Sequence, residues 1–143
     1  MKEHIRFFSA DKAIPLKNRN ELKAGLHKLA SNYGYSVFSL RYIFCSDDFL
    51  LEINKQSLQH DYYTDIITFD MRSDFSVKHI DAEIYISVDR VKENARSYGV
   101  SFKQELYRVM AHGILHLVGL NDKTKKEAEQ MRLAEDKALE VLL

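Results

Sequence analysis

Residues 111–122 read AHGILHLVGLND. His112 and His116 are four positions apart, which on a helix puts one above the other on a single face. Their imidazole nitrogens can then aim at one point. Gly119 is a natural helix stop that lets the chain turn back. Asp122, beyond that turn, can bring a carboxylate oxygen to the same place. Two nitrogens and an oxygen, with one coordination position open, form the donor set of a catalytic zinc site. The competing reading is plain packing, since a His-x-x-x-His pair alone also occurs in ordinary buried helices.

The surrounding sequence frames this stretch as a helix. Ser101 and Gln104 have capping-box spacing at its start, and Thr124 with Glu127 repeats the pattern for a last helix. That last helix is expected to bury Ala128, Met131, Ala134, Ala138 and Val141. Residues 88–99, VDRVKENARSYG, form a helix ended by Gly99. Ahead of them TDIITFDM (64–71) and AEIYISVD (82–89) read as strands joined by a polar loop, RSDFSVKHID (72–81). In the first half, HIRFFS (4–9) alternates as a strand. Residues 18–34 place Leu22, Leu26, Leu29 and Tyr33 on one helical face, with Asn18 and Glu21 as a capping pair. SVFSLRYIFCS (36–46) is a strand and DDFLLEINKQSL (47–58) a short helix with an acidic start. This order predicts an α+β fold over residues 1–143: a small mixed four-stranded sheet packed with about five helices, in one domain.

Composition narrows the classes. The 143 residues are 45% hydrophobic and 29% charged, as in a soluble globular protein. No apolar run is long enough to span a membrane, and the N-terminal charges exclude a secretory pattern. The single cysteine, Cys45, cannot close an internal disulfide, and it sits in an apolar stretch as a buried, inert thiol. A cytoplasmic location without a membrane partner is the expectation. Twenty-one basic residues balance 21 acidic ones. No strong global basic field points to nucleic acid, and any RNA-binding surface would have to be a local patch.

The shape His-x-x-x-His-x-x-Gly-x-x-ligand is shared with the metzincin peptidases, which place a glutamate base directly after the first histidine. Here that position is Gly113, so peptide hydrolysis by that route has no base. HGILHLVGLND instead resembles the signature of the YbeY family of rRNA maturation endoribonucleases, His-Gly-x-Leu-His-Leu-x-Gly-Tyr-Asp-His. His112, Gly113, Leu115, His116, Leu117 and Gly119 match it. QELYRVMA before it is similar to the family's run into the motif, with Glu105 in place. TDIITFD resembles the family's Thr-Asp-Val-Leu-Ser-Phe-Pro at Thr64, Asp65 and Phe69. AEIYIS and EAEQMRLAED resemble its next strand and its last helix. Three departures stand out. Asp122 occupies the place of the third histidine, Leu120 and Asn121 replace the tyrosine and aspartate, and Leu58 stands where the family has an arginine suited to a phosphate.

The resemblance implies a zincin-like, metalloprotease-related fold. It also implies a zinc-dependent endoribonuclease acting on single-stranded RNA in small-subunit rRNA maturation and ribosome quality control. Small-subunit particles and assembly factors, including a GTPase, are the implied partners. His112, His116 and Asp122 are then the ligands of one zinc ion, with the metal's identity open because Asp122 replaces a histidine. Glu105, two turns before His112, is either a partner that fixes a histidine tautomer or a surface acid. Asp65 and Thr64 either orient a loop or bind substrate, or simply make a turn. His60 can meet a phosphate, with Tyr62 or Tyr63 stacking on a base, or all three belong to a polar loop. Glu105, Asp65 and His60 are the catalytic candidates, and no general base stands out. Phe69 reads as core. Lys123, Lys125 and Lys126 form a basic patch beside Asp122, suited to an RNA backbone, although a solvated helix start would look the same. The alternative function is a ribosome-assembly factor that binds RNA or protein, with a structural metal and little cleavage.

Overall fold

The computed structural model describes residues 4–143. Strand β1 (Ile5–Ser9) leads to helix α1 (Arg19–Asn32). Strand β2 (Ser36–Cys45) and helix α2 (Asp47–Leu58) follow. Then come strands β3 (Ile66–Asp70) and β4 (His79–Ser87), and helices α3 (Val88–Tyr98), α4 (Phe102–Leu117) and α5 (Lys125–Leu142). The sheet order is β1-β2-β4-β3. β1, β2 and β4 run parallel, and β3 pairs antiparallel with β4 at the edge. A mixed four-stranded sheet with five helices is what the sequence pattern predicts.

α4 is the centre of the molecule, with eleven of its 16 residues buried, so it faces neighbours on nearly every side. On one side it lies against the sheet. The buried Tyr42 of β2 donates its hydroxyl to the Met110 carbonyl at 2.9 Å, which satisfies a polar atom that would otherwise cost stability. Gly113 makes close approach possible. A Cβ there would stand 2.7 Å from Ile84 Cδ1 and 3.3 Å from Ile66 Cδ1. The glycine that removes the metzincin base is thus the residue that lets α4 settle onto β3 and β4. On its other side α4 packs against α5, whose start is fixed by the Thr124–Glu127 capping box. A smaller cluster of Cys45, Leu50 and Ile67 fastens α2 to the sheet, with Phe69 packed on it as core. Burial, with the charges of Asp11, Asp89 and Asp47, pushes the Cys45 thiol up to about 12, so it is inert as expected.

Several local expectations change. Asn18 takes a left-handed conformation (φ 52°) and its side chain does not cap α1. Asparagine tolerates that conformation, which turns the chain into the helix by its backbone instead. Tyr33 is an exposed helix end, and Ala30 fills the buried face with Leu22, Leu26 and Leu29. β4 begins at His79, earlier than expected, because β2 pairs it from Ser36 onward and Ile80 points into the core. On α5 the buried stripe is Met131, Ala134, Glu135, Ala138 and Leu139. Ala128 is exposed and Val141 only half-buried.

Candidate functional site

The geometry around His112 starts with what α4 and α5 bring together. The Nδ1 of His112 is 2.7 Å from Glu135 Oε2 of α5. Glu135 is buried and accepts a second bond through Oε1, from Arg108 Nη1 at 3.1 Å. Arg108 in turn donates to Asp136 at 2.7 Å. The four side chains form one linked series, buried at Glu135 and Arg108 and ending at the half-exposed Asp136. The hydrogen bond to Glu135 raises the His112 pKa above the ordinary imidazole value. It outweighs burial, which acts the other way, and Asp122 and Asp65 add to the rise.

With Nδ1 committed to Glu135, the other nitrogen is turned to Asp122. His112 Nε2 faces Asp122, 3.5 Å from Oδ2. Helix α4 ends at Leu117, and Gly119 at φ 110° makes the reversal that a side chain would resist, which returns Asp122 towards His112. His116, one turn after His112, is exposed and lines the same open groove as His112 and Asp122. The far wall is the end of α2 and the segment after it, with Leu58, His60, Tyr62 and Thr64. The residues lining this groove include no lysine or arginine.

The donor set tests well for a divalent ion of the zinc type in its chemistry: two imidazoles, one carboxylate, and a buried carboxylate that fixes which histidine nitrogen points outward. Among the described residues, no three histidine, cysteine, aspartate or glutamate side chains are drawn into a ready ligand cluster. His112 and Asp122 are the close pair, and His116 shares their groove.

Glu105 is buried, which excludes the surface-acid reading, yet the partner of the His112 ring is Glu135. Glu105 and Asp65 line a separate cavity behind the imidazole with Arg108, Arg132 and Glu135, and neither lines the groove. Burial pushes the Asp65 carboxyl up, opposed by the charge of His112. Burial and the Asp65 charge likewise raise Glu105, with Arg108 and Arg132 opposing. The Asp65 backbone carbonyl accepts from Ser87 N–H at 3.0 Å, and Thr64 donates to the Ile66 carbonyl at 3.4 Å, so both residues shape the entry to β3. His60 and Tyr62 are exposed in the groove wall. Tyr63 turns away, its hydroxyl donating to Asp48 and its ring covered by Arg90. Lys123, Lys125 and Lys126 are all exposed beyond Asp122. Sequence reasoning missed Glu135 and Arg108. The available signal was an acid at position 135, one turn after Met131 and three residues before Ala138, on a stripe otherwise apolar.

The comparisons with known proteins cover nearly the whole chain. The model of the family described as endoribonuclease YbeY matches residues 6–142. An endoribonuclease YbeY of Cytophaga hutchinsonii is 50% identical over 137 residues, covering 96% of this chain and 94% of the relative. One from Porphyromonas gingivalis is 42% identical over 138 residues, covering 96% and 89%. The solution structure of a Thermotoga maritima protein superposes with a TM-score of 0.66 at 29% identity, covering 96% of this chain and 88% of that one.

Proposed function

The chain belongs to the endoribonuclease YbeY family, and on that premise we propose that it cleaves single-stranded RNA phosphodiesters at a zinc ion held by His112, His116 and Asp122. The reaction serves small-subunit rRNA maturation and ribosome quality control in the cytoplasm, with ribosomal particles and assembly factors as partners. Among the described residues no helix is long and apolar enough to cross a membrane, which agrees with such a setting. The observation that carries the proposal is the division of labour on one imidazole: Nδ1 bound to buried Glu135, and Nε2 turned to Asp122 in an open groove.

When bound, a zinc ion supplies Lewis acidity to a phosphoryl oxygen and lowers the pKa of a coordinated water. The protein's part is positional. Glu135 holds the His112 ring at one orientation and keeps its proton on the inner nitrogen. Arg108 holds Glu135. Asp122 adds a negative charge that a third histidine would not, and as a harder donor it widens tolerance towards manganese or magnesium.

A second reading has its own support. Leu58 lines the groove where the family has its arginine, and no lysine or arginine lines it. An assembly factor with a structural metal, whose RNA or protein contacts lie outside this groove, would need none there. Metal content and nuclease assays separate the two. His112→Ala, His116→Ala and Asp122→Ala are expected to lose metal, and wild type to cut single strands but not duplexes, with chelator abolishing cleavage. Metal content equal to wild type in the His116→Ala protein overturns the ligand assignment. Tight particle binding without any metal-dependent cleavage favours the second reading.

A further inference from the structure

The part of the groove lining that follows α2 is tied down by hydrogen bonds. α2 ends at Leu58, and Gln59 turns the chain in the left-handed conformation at φ 58°. The next residues are then clamped by one side chain and its own backbone. His60 N–H donates to the Asn54 carbonyl at 3.0 Å. The Asn54 side-chain amide donates to the Tyr62 carbonyl at 2.9 Å. Asn54 is 2% exposed, so the clamp is buried while the residues it holds are not.

What the clamp presents is a pair of stacked rings. The centroids of His60 and Tyr62 are 5.2 Å apart with planes 19° from parallel, and the Tyr62 hydroxyl lies 3.0 Å from His60 Nδ1. Tyr62 remains 55% exposed. His60 thus backs the tyrosine ring and fixes its tilt. Aromatic faces offered to water without an apolar partner are costly, and ordering them beforehand lowers the entropy lost when a flat ligand arrives. The groove itself has no lysine or arginine with which to grip phosphates. Beside the residues proposed to hold the metal, the groove offers the ring faces of His60 and Tyr62.

We propose that the His60–Tyr62 pair is a preformed platform on which one unpaired nucleobase stacks, seating it across the groove from His112 and Asp122. This rests on the RNA reading above. It deepens that reading by giving a reason for single-strand selectivity. A base in a duplex already has both faces covered and cannot reach the platform, whereas an unpaired one can be splayed onto it. The contact tolerates any base, because every base has a π-face. His60 acts as the support of Tyr62 and not as a phosphate ligand.

The test is binding of a short labelled single-stranded RNA to the full chain, beside the same strand lacking its bases. Tyr62→Ala is expected to weaken binding of the intact strand by about 5- to 150-fold, the range for one base–aromatic stack. Tyr62→Phe and Tyr62→Trp keep near wild-type affinity, since a stacking face remains. On the abasic strand wild type and Tyr62→Ala bind alike. Tyr62 is exposed, so the melting temperature should not move, and an unchanged melt shows that the loss is not unfolding. If wild type binds the intact strand and Tyr62→Ala binds it equally, the platform is wrong and the RNA reading stands. If the Tyr62→Ala defect persists on the abasic strand, Tyr62 does not stack on a base. If wild type binds no single strand at all, the RNA reading falls and the platform with it.

Discussion

Behind the His112 imidazole the protein is densely charged and its key side chains are nearly buried, while in front of it lies an open groove lined by no lysine or arginine. On the buried side, the Glu135 and Arg108 side chains are 9% and 10% exposed and hold each other at 3.1 Å. On the open side the Asp122 side chain is 47% exposed and lies 3.5 Å from His112 Nε2. The contrast separates two tasks that one residue performs. Folding fixes the inner nitrogen through a network whose central members, Glu135 and Arg108, are nearly buried. The outer nitrogen faces Asp122 in the open groove, where the proposed metal would be held. Effects on stability should therefore concentrate behind the ring, and effects on binding in front of it.

The largest expected effect comes from behind. Glu135→Ala removes the acceptor of both His112 and Arg108 and leaves a guanidinium nitrogen buried without its partner. Breaking a buried pair this way costs about 3–5 kcal/mol, and the low end applies because Asp136 still holds Arg108 from outside. Glu135→Gln keeps the shape and one acceptor. It should cost much less stability, yet lower metal affinity by roughly 10- to 100-fold, as loss of an orienting carboxylate does. Urea unfolding and metal titration of the two variants check this together. Wild-type stability in Glu135→Ala would erase the division between the two sides.

A smaller effect is expected at Gly113, which follows His112. Gly113→Ala brings a methyl group to 2.7 Å from Ile84 Cδ1, which must move. Overpacking of this kind costs about 1–3 kcal/mol. Alanine gives back close to 1 kcal/mol as a better helix former than glycine. The isoleucine terminus is flexible, so a net loss of about 1 kcal/mol is the expected result in denaturant unfolding. A gain in stability equal to the full helix-propensity difference would show that the α4–sheet contact yields freely, and that Gly113 is not there for packing.

The two sides also differ in how far the sequence discloses them. The groove side is written in short spacings: His112 and His116 share a face because they are four apart, and Gly119 with Asp122 is a local turn. The family resemblance adds names to positions that spacing had already brought together. The buried side depends on how α5 lies across α4. Glu135 and His112 are 23 positions apart, and no local rule says which residue of a distant helix will meet an imidazole. Glu105 has the helical spacing to reach His112, and so draws attention that belongs to Glu135. The sheet is legible by alternation, but the early start of β4 is not. His79 and Ile80 join the strand because β2 offers them parallel partners, and that pairing is invisible from residues 72–81 alone. The His60–Tyr62 stack lies between these cases. Its aromatic residues are plain in the sequence, while the buried Asn54 that holds them in place is found only in three dimensions.

The smallest effect on stability, and a selective one on binding, is expected farthest forward. Lys123, Lys125 and Lys126 are exposed beyond Asp122, and no lysine or arginine lines the groove itself. If RNA enters this groove, these lysines are the nearest sequence neighbours of the site that can meet its phosphates. Changing all three to glutamine should leave stability within about 0.5 kcal/mol of wild type, as for surface substitutions generally. A slight gain is favoured, because Lys125 and Lys126 sit in the first turn of α5, where positive charge opposes the helix dipole. RNA binding should weaken and lose salt dependence. Each phosphate contact on a single strand releases counterions worth about 0.7 in the slope of log K against log salt, so three lost contacts flatten it by about 2. The measurement is affinity for one single-stranded oligomer across a range of salt. A parallel line, displaced but not flattened, would mean that the lysines act through the fold and not on phosphates. An unchanged line would take them off the RNA surface, and the cation missing from the groove would have to be sought elsewhere on the protein.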